Sequence, residues 1–227
     1  MVAEDLTAVV NVGVGAWHPK GTKRLDESLT AVGYAGARLY WTKEYPPGSP
    51  THQDHPYGFK PYAMAAAAAQ GSRYVLWCDS SLWAVRALTW IWDELAAQGH
   101  VFLRNGWYAG EWCSDAALQL LGITREAALQ VPQLIGGCMA LDLAVPRSQT
   151  FFAEWLHHAR TGAFQGAWSN KNKEVSGDSR VLGHRHDQAI ASLLAHKHGM
   201  LISPRAYFST AVNQPLAPDT VFLAQGM

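Results

Sequence analysis

Short runs of β-branched and aromatic residues, each closed by glycine or aspartate, alternate along this chain with longer segments whose apolar residues recur every three or four positions. The run from Leu6 to Gly15 predicts a first strand, because it is β-branched and punctuated by glycines. Thr22 to Val32 predicts a helix, with Leu25, Leu29 and Val32 on one face. A second strand is expected at Ala37 to Thr42. The stretch from Lys43 to Tyr57 holds Pro46, Pro47, Gly48, Pro50 and Pro56, which bars helix and central strand and predicts a loop. So long a loop within a compact domain is functional or disordered, and its Tyr and His content favours function. Phe59 to Gln70 reads as a helix whose alanine run lets it lie close to a sheet, with Gly71 as its stop. Tyr74 to Asp79 predicts the third strand.

Helix is expected again at Arg86 to Gln98 and strand at Val101 to Arg104, followed by two short helical pieces at Asp115 to Leu121 and Arg125 to Gln130. Leu134 to Leu143 is strand-like and carries the pair Gly136-Gly137, a place where a backbone or ligand comes close. Phe151 to Arg160 places Phe152, Trp155, Leu156 and Ala159 on one helical stripe. Gly162 to Gly183 is a polar loop or lid, and Arg185 to His198 is the last strong helix. Met200 to Ser203 is expected as an edge strand, and residues 204–227 as an irregular tail.

Strands alternating with helices predict an α/β fold, with a mostly parallel central sheet covered by helices on both faces. A parallel strand buried on both sides is continuously apolar, which accounts for Tyr74-Val-Leu-Trp-Cys78. Ligands in such sheets bind beyond the carboxyl ends of the strands, where Asp79 stands.

The 227 residues include 18 basic and 18 acidic side chains, so no global field draws the chain to nucleic acid or an anionic membrane. Met1 to Leu6 lacks the basic start and apolar run of a signal peptide, and no segment has the roughly 20 apolar residues of a membrane span. These features predict a soluble, cytoplasmic protein. Cys78, Cys113 and Cys138 are odd in number and far apart, as expected for reduced thiols. Ten tryptophans serve either as core or as platforms on which sugar rings or bases stack.

Asp79, followed by Ser80 and Ser81, serves as a ligand-facing carboxylate or as a helix or turn cap. In the last helix Ile190, Leu193 and Leu194 form the buried stripe, and His186 and Asp187 extend it towards the sheet. Two ionisable groups aimed at a core require a partner, metal or ligand. His184 and His186 lie two apart and face different ways, unlike the four-residue spacing with which two histidines grip one ion. One of them, His184 or His186, would complete a cation site begun at Asp79. Trp107, Trp112 and Asp115 lie in an aromatic and acidic segment suited to hydroxyl recognition. Lys171, Lys173, Arg180 and Arg185 make the lid locally basic, either as solvated charge or as a contact for phosphates.

The order of these parts resembles the nucleotide-sugar glycosyltransferases of the GT-A fold, glycogenin-like members included. In that family the third strand ends in Asp-X-Asp, whose carboxylates hold Mn²⁺ or Mg²⁺ on the donor diphosphate; the match here is Asp79-Ser80-Ser81, with a hydroxyl in place of the second carboxylate. Lys60-Pro61 is similar to the family's Lys-Pro pair and implies a diphosphate contact by Lys60. Gly136-Gly137 resembles the strand beside the donor sugar, and His186-Asp187-Gln188 the segment near the reacting carbon. The resemblance implies one GT-A-like domain over residues 1–227, with a nucleotide-binding half at about 6–105 and an acceptor half at about 106–203. It implies a nucleotide-sugar donor held by Lys60, Asp79, Ser80, Ser81, Gly136, Gly137 and Gln188. It also implies Mn²⁺ or Mg²⁺ on Asp79, Ser81 and His184, Asp187 as base with His186 as substitute, and an acceptor hydroxyl on a saccharide, a protein or a modified DNA base. Two rivals remain at this point: a carbohydrate-binding protein without turnover, and a phosphohydrolase built on the His-Asp cluster.

Overall fold

The computed structural model describes residues 2–204 and 207–226. The elements are β1 (Thr7–Val12), α1 (His18–Ala31), β2 (Ala37–Trp41), α2 (Phe59–Ala69), β3 (Tyr74–Cys78), β4 (Leu82–Ala84), α3 (Thr89–Gln98), β5 (His100–Tyr108), α4 (Asp115–Leu121), α5 (Arg125–Ala128), β6 (Pro132–Asp142), α6 (Pro146–Arg160), α7 (His186–Lys197), β7 (Phe208–Ser209) and β8 (Phe222–Ala224). The main sheet has the order β2-β1-β3-β6-β5. β1 is parallel to β2 and to β3, whereas β6 runs antiparallel to both β3 and β5. One reversed strand thus lies in an otherwise parallel sheet.

Every residue of β1 and β3 is buried, as two-sided burial requires. Alternate residues face opposite layers. Val75, Trp77, Phe102, Met139 and Leu141 pack on α2, α6 and α7 through Met64, Trp155 and Ile190. Leu76, Cys78, Leu103, Cys138 and Ala140 pack on α1 and α3 through Leu25, Leu29, Ile91 and Leu95. The three cysteines are free and buried. Among the described residues no helix is long and apolar enough to cross a membrane.

Several boundaries move from the expected ones for physical reasons. α1 and α6 begin earlier, at His18 and Pro146, because proline in the first turn of each has the helical φ built in and needs no donor there. Ser203 makes only a single bridge to Leu103 rather than an edge strand. The tail is not wholly irregular: β8 pairs with β4, and β7 with β8, in a second sheet of three strands. Strands of two and three residues carry no readable period, so local sequence is silent about them. Residues 205, 206 and 227 of the expected tail, and residue 1 of the expected domain, lie outside the described residues.

Candidate active site

Three segments distant in sequence meet at the carboxyl end of β3. Asp79 is anchored there by its backbone N–H, which donates to Gly137 O at 2.8 Å, and by Trp77 Nε1, which donates to its Oδ1 at 2.7 Å. It caps no helix. Lys60, in the first turn of α2, inserts its ammonium beneath the carboxylate: Nζ donates to Gly136 O at 2.8 Å and stands 3.3 Å from Asp79 Oδ1 and 2.9 Å from Asp187 Oδ2. Asp187 enters from the first turn of α7. Gln188 Oε1 accepts from Gly136 N at 2.9 Å and ties α7 to β6.

The glycine pair leaves room for this convergence. A Cβ on Gly136 would lie 3.2 Å from Asp187 Oδ2, and one on Gly137 would lie 3.2 Å from Asp79 Oδ2. Tyr57 and His186, whose rings pack 5.6 Å apart beside the cluster, both have positive φ, of 60° and 46°. Such left-handed backbone is uncommon in residues other than glycine and clusters at functional sites.

Side-chain exposure is 2% for Lys60, 4% for Asp187 and 33% for Asp79, so only Asp79 presents a carboxylate to solvent. Burial pushes the Asp187 carboxyl up to about 6, although the nearby ammonium pulls the other way. Burial would lower Lys60, but Asp187 and Asp79 reverse the effect and hold it above the usual lysine range. The ammonium therefore stays charged, and its ring neighbours Tyr57 and Trp77, with centroids at 4.8 and 5.2 Å, add cation–π attraction. Burial lowers His186 to about 4 and His184 to about 3, so both imidazoles are neutral at physiological pH.

The cluster lies between cavities that share walls. One of about 430 Å³ is lined by Trp17, His18, Tyr45, Tyr57 and Trp77, and ends at Asp79 and Ser81. A smaller one of about 200 Å³ contains Lys60, Asp79, Asp187 and the two glycines, with Arg185 and Trp168 opposite. A third, of about 540 Å³, shares Arg185 and Gln188 with it and carries Arg104 and Trp107. Arg185 sits at the junction with its guanidinium 4.2 Å from the Trp112 ring and 3.9 Å from the Trp168 ring.

The structure thus gathers Lys60, Asp79, Gly136, Gly137, His186, Asp187 and Gln188, with Ser80 and Ser81 on the wall of the 430 Å³ cavity. Four of the expected residues make other contacts. Lys60 Nζ donates to Gly136 O and forms ion pairs with Asp79 Oδ1 and Asp187 Oδ2, so it holds the two carboxylates together. Ser80 lines the 430 Å³ cavity beside Asp79, and its hydroxyl bonds to Asn11, which pins the turn to β1. His184 accepts from Ser114 N through Nδ1 and meets Ala163 O through Nε2, so neither nitrogen is free for a metal. Asp115 is held by Arg125 and Ser176 and lines none of these cavities. Trp107 does line the third cavity; Trp112 stacks on Arg185 instead.

These residues do not make a metal cage. Without His184, Asp79 and the Ser81 hydroxyl remain of the expected ligands, and among the described residues no three His, Cys, Asp or Glu converge as a metal site. Of the basic lid, Arg180 is spent on Asp178 and Glu126, whereas Arg185 reaches the site. Sequence reading missed Trp17, His18, Tyr45, Tyr57 and Trp168. The aromatic and proline content of the 43–57 loop was the available signal for Tyr45 and Tyr57, and the 162–183 lid for Trp168; Trp17 and His18 lie in a segment with no distinguishing pattern.

No protein-family model matches the sequence, and no curated protein matches it. Among solved structures, mouse xyloside xylosyltransferase 1 in its apo form aligns with a TM-score of 0.50 and 12% identity, over 89% of this chain and 86% of that one. The glycosyltransferase GlyE of Streptococcus pneumoniae aligns with a TM-score of 0.47 and 14% identity, over 82% of this chain and 42% of that one. A glycosyltransferase involved in glycosylation of the major capsid of PBCV-1 gives 0.38 and 12%, over 65% of each chain. The xylosyltransferase alignment, together with the reversed strand in a parallel sheet, gives the chain the fold of GT-A-like glycosyltransferases.

Proposed function

We propose that the protein transfers a sugar from a nucleoside-diphosphate sugar to a hydroxyl acceptor. The observation that carries this reading is the Lys60 ammonium gripping Asp79 and Asp187 where the 430 Å³ cavity meets the 200 Å³ one. The 430 Å³ cavity, with aromatic walls and a carboxylate at its inner end, suits a nucleoside whose base stacks and whose diphosphate points inward. Arg185 supplies the positive charge for the leaving diphosphate: it lines the smaller cavity, and no described carboxylate pairs with it. A planar guanidinium matches phosphate oxygens in pairs.

In the reaction the bond between the anomeric carbon and the diphosphate oxygen breaks, with its electron pair leaving on the phosphate. The acceptor oxygen forms the new bond to that carbon, and its proton passes to Asp187. A carboxyl held near 6 is a base matched to neutral pH, and such a step is typically worth about 10²–10⁴-fold. The Mn²⁺ or Mg²⁺ expected from the family resemblance has no protein cage here, so no step is assigned to it.

A carbohydrate-binding protein without turnover is the second reading, favoured by the single exposed carboxylate. Thermal-shift measurements with uridine, guanosine and cytidine diphosphate sugars, followed by assay of released nucleoside diphosphate, separate the two. One donor is expected to stabilise the protein and to be hydrolysed slowly without acceptor. Asp79→Asn removes both effects while the ligand-free melting point hardly moves. Stabilisation without any hydrolysis supports the second reading, and loss of the fold in Asp79→Asn makes Asp79 structural.

A further inference from the structure

The 540 Å³ cavity beyond Arg185 is lined only by donors and aromatic or neutral groups on its recognition surface: it contains Arg104 and Arg185 and no Asp or Glu. In a chain whose formal charges cancel, this local excess is specific to the cleft. Neither guanidinium meets a carboxylate among the described residues; Arg104 lies over the Tyr108 ring at 5.6 Å, and Arg185 is held between two indoles.

Gln133 supplies an independent observation. Its side chain is only 1% exposed and lines the same cavity, yet its Nε2 has no hydrogen-bond partner. Its Oε1 is engaged by Asn105 Nδ2 at 2.7 Å, which fixes the amide with its donor end unspent. A buried amide N–H without a partner costs about 1–3 kcal/mol, so a ligand that accepts from it is favoured. The unpaired Arg104 guanidinium and the orphaned amide N–H ask for an oxyanion, with Arg185, which also faces the donor side, adding positive charge at the shared wall. Trp107, 46% exposed at the same cleft, offers an indole face for a pyranose ring.

We propose that this cleft is the acceptor subsite and that it takes an anionic saccharide, one whose sugar carries a carboxylate or phosphate. This rests on the glycosyltransferase reading above. A nucleic-acid acceptor fits less well, because two arginines in one pocket do not make the extended basic track that follows a phosphate backbone.

The test is binding by saturation-transfer NMR with no donor present, using methyl β-D-glucuronide, glucose 6-phosphate, neutral methyl β-D-glucoside and a single-stranded oligonucleotide. At least one anionic sugar is expected to bind about tenfold or more tighter than the neutral glycoside, the size of one charge-assisted hydrogen bond. Its identity tells carboxylate from phosphate. Arg104→Ala, at an exposed position, is expected to bring the sugars to parity. Equal affinity for the neutral glycoside, no saturable binding of either anion, selectivity that survives Arg104→Ala, or tighter binding of the oligonucleotide would each overturn the proposal. Because no donor is used, this result is independent of whether transfer itself is observed.

Discussion

Lys60 Nζ lies 2.9 Å from Asp187 Oδ2, and both side chains are almost wholly withdrawn from water. Their nearest charged companion is Asp79, 3.3 Å from the same ammonium. One buried cation thus holds two carboxylates that would otherwise repel each other where the 430 Å³ and 200 Å³ cavities meet.

Removing that cation while keeping side-chain bulk, as in Lys60→Met, leaves Asp187 buried beside a second carboxylate. The expected loss is about 3–5 kcal/mol, the usual cost of breaking a buried pair from one side. Denaturant unfolding measures it, and Lys60→Met combined with Asp187→Asn should recover part of the loss because the stranded charge is then gone. A Lys60→Met protein as stable as the original would show that the pair does not position the site.

The raised Asp187 carboxyl sets a pH signature. Its folded value of about 6 lies above the ordinary 3.8, so between these values the folded protein binds more protons at this site than the unfolded chain. Its contribution to stability is therefore full below about 4 and is lost as pH rises through about 6. Activity that needs the ionised carboxylate runs the other way and rises through the same window. Comparing melting curves and rates from pH 4 to 8 for the original protein and Asp187→Asn checks both signs; an unchanged stability profile in Asp187→Asn contradicts the assignment.

If Arg185 neutralises the leaving phosphate and no protein cage holds a metal, a chelator and an arginine substitution should differ in effect. Arg185→Met is expected to lower donor turnover by about 10²-fold or more, the scale of losing one preorganised charge-stabilising group. Chelation with EDTA should leave most of the turnover in place. Activity abolished by EDTA and restored by Mn²⁺ would reverse this ordering and return the cation to the centre of the mechanism.

The sequence by itself determined the alternating elements and the points where chemistry collects. Tyr74 to Cys78 is legible as a doubly buried strand because every position is apolar, and the aspartate that follows it had to sit at the sheet's carboxyl edge. His186 and Asp187 are legible as inward-facing because the stripe Ile190, Leu193 and Leu194 continues into them. Only tertiary structure decided what each polar group touches. Lys60 reads in sequence only as a phosphate contact, and it is the fold that brings Gly136, Asp79 and Asp187 around its ammonium from three other segments. His184 looks like a metal ligand until Ala163 and Ser114 occupy its two nitrogens. Periodicity reports which way a side chain faces, which is a local property of the backbone. Hydrogen bonds and ion pairs depend on positions to within a few tenths of an ångström between residues far apart in the chain, and these are fixed only when the layers pack.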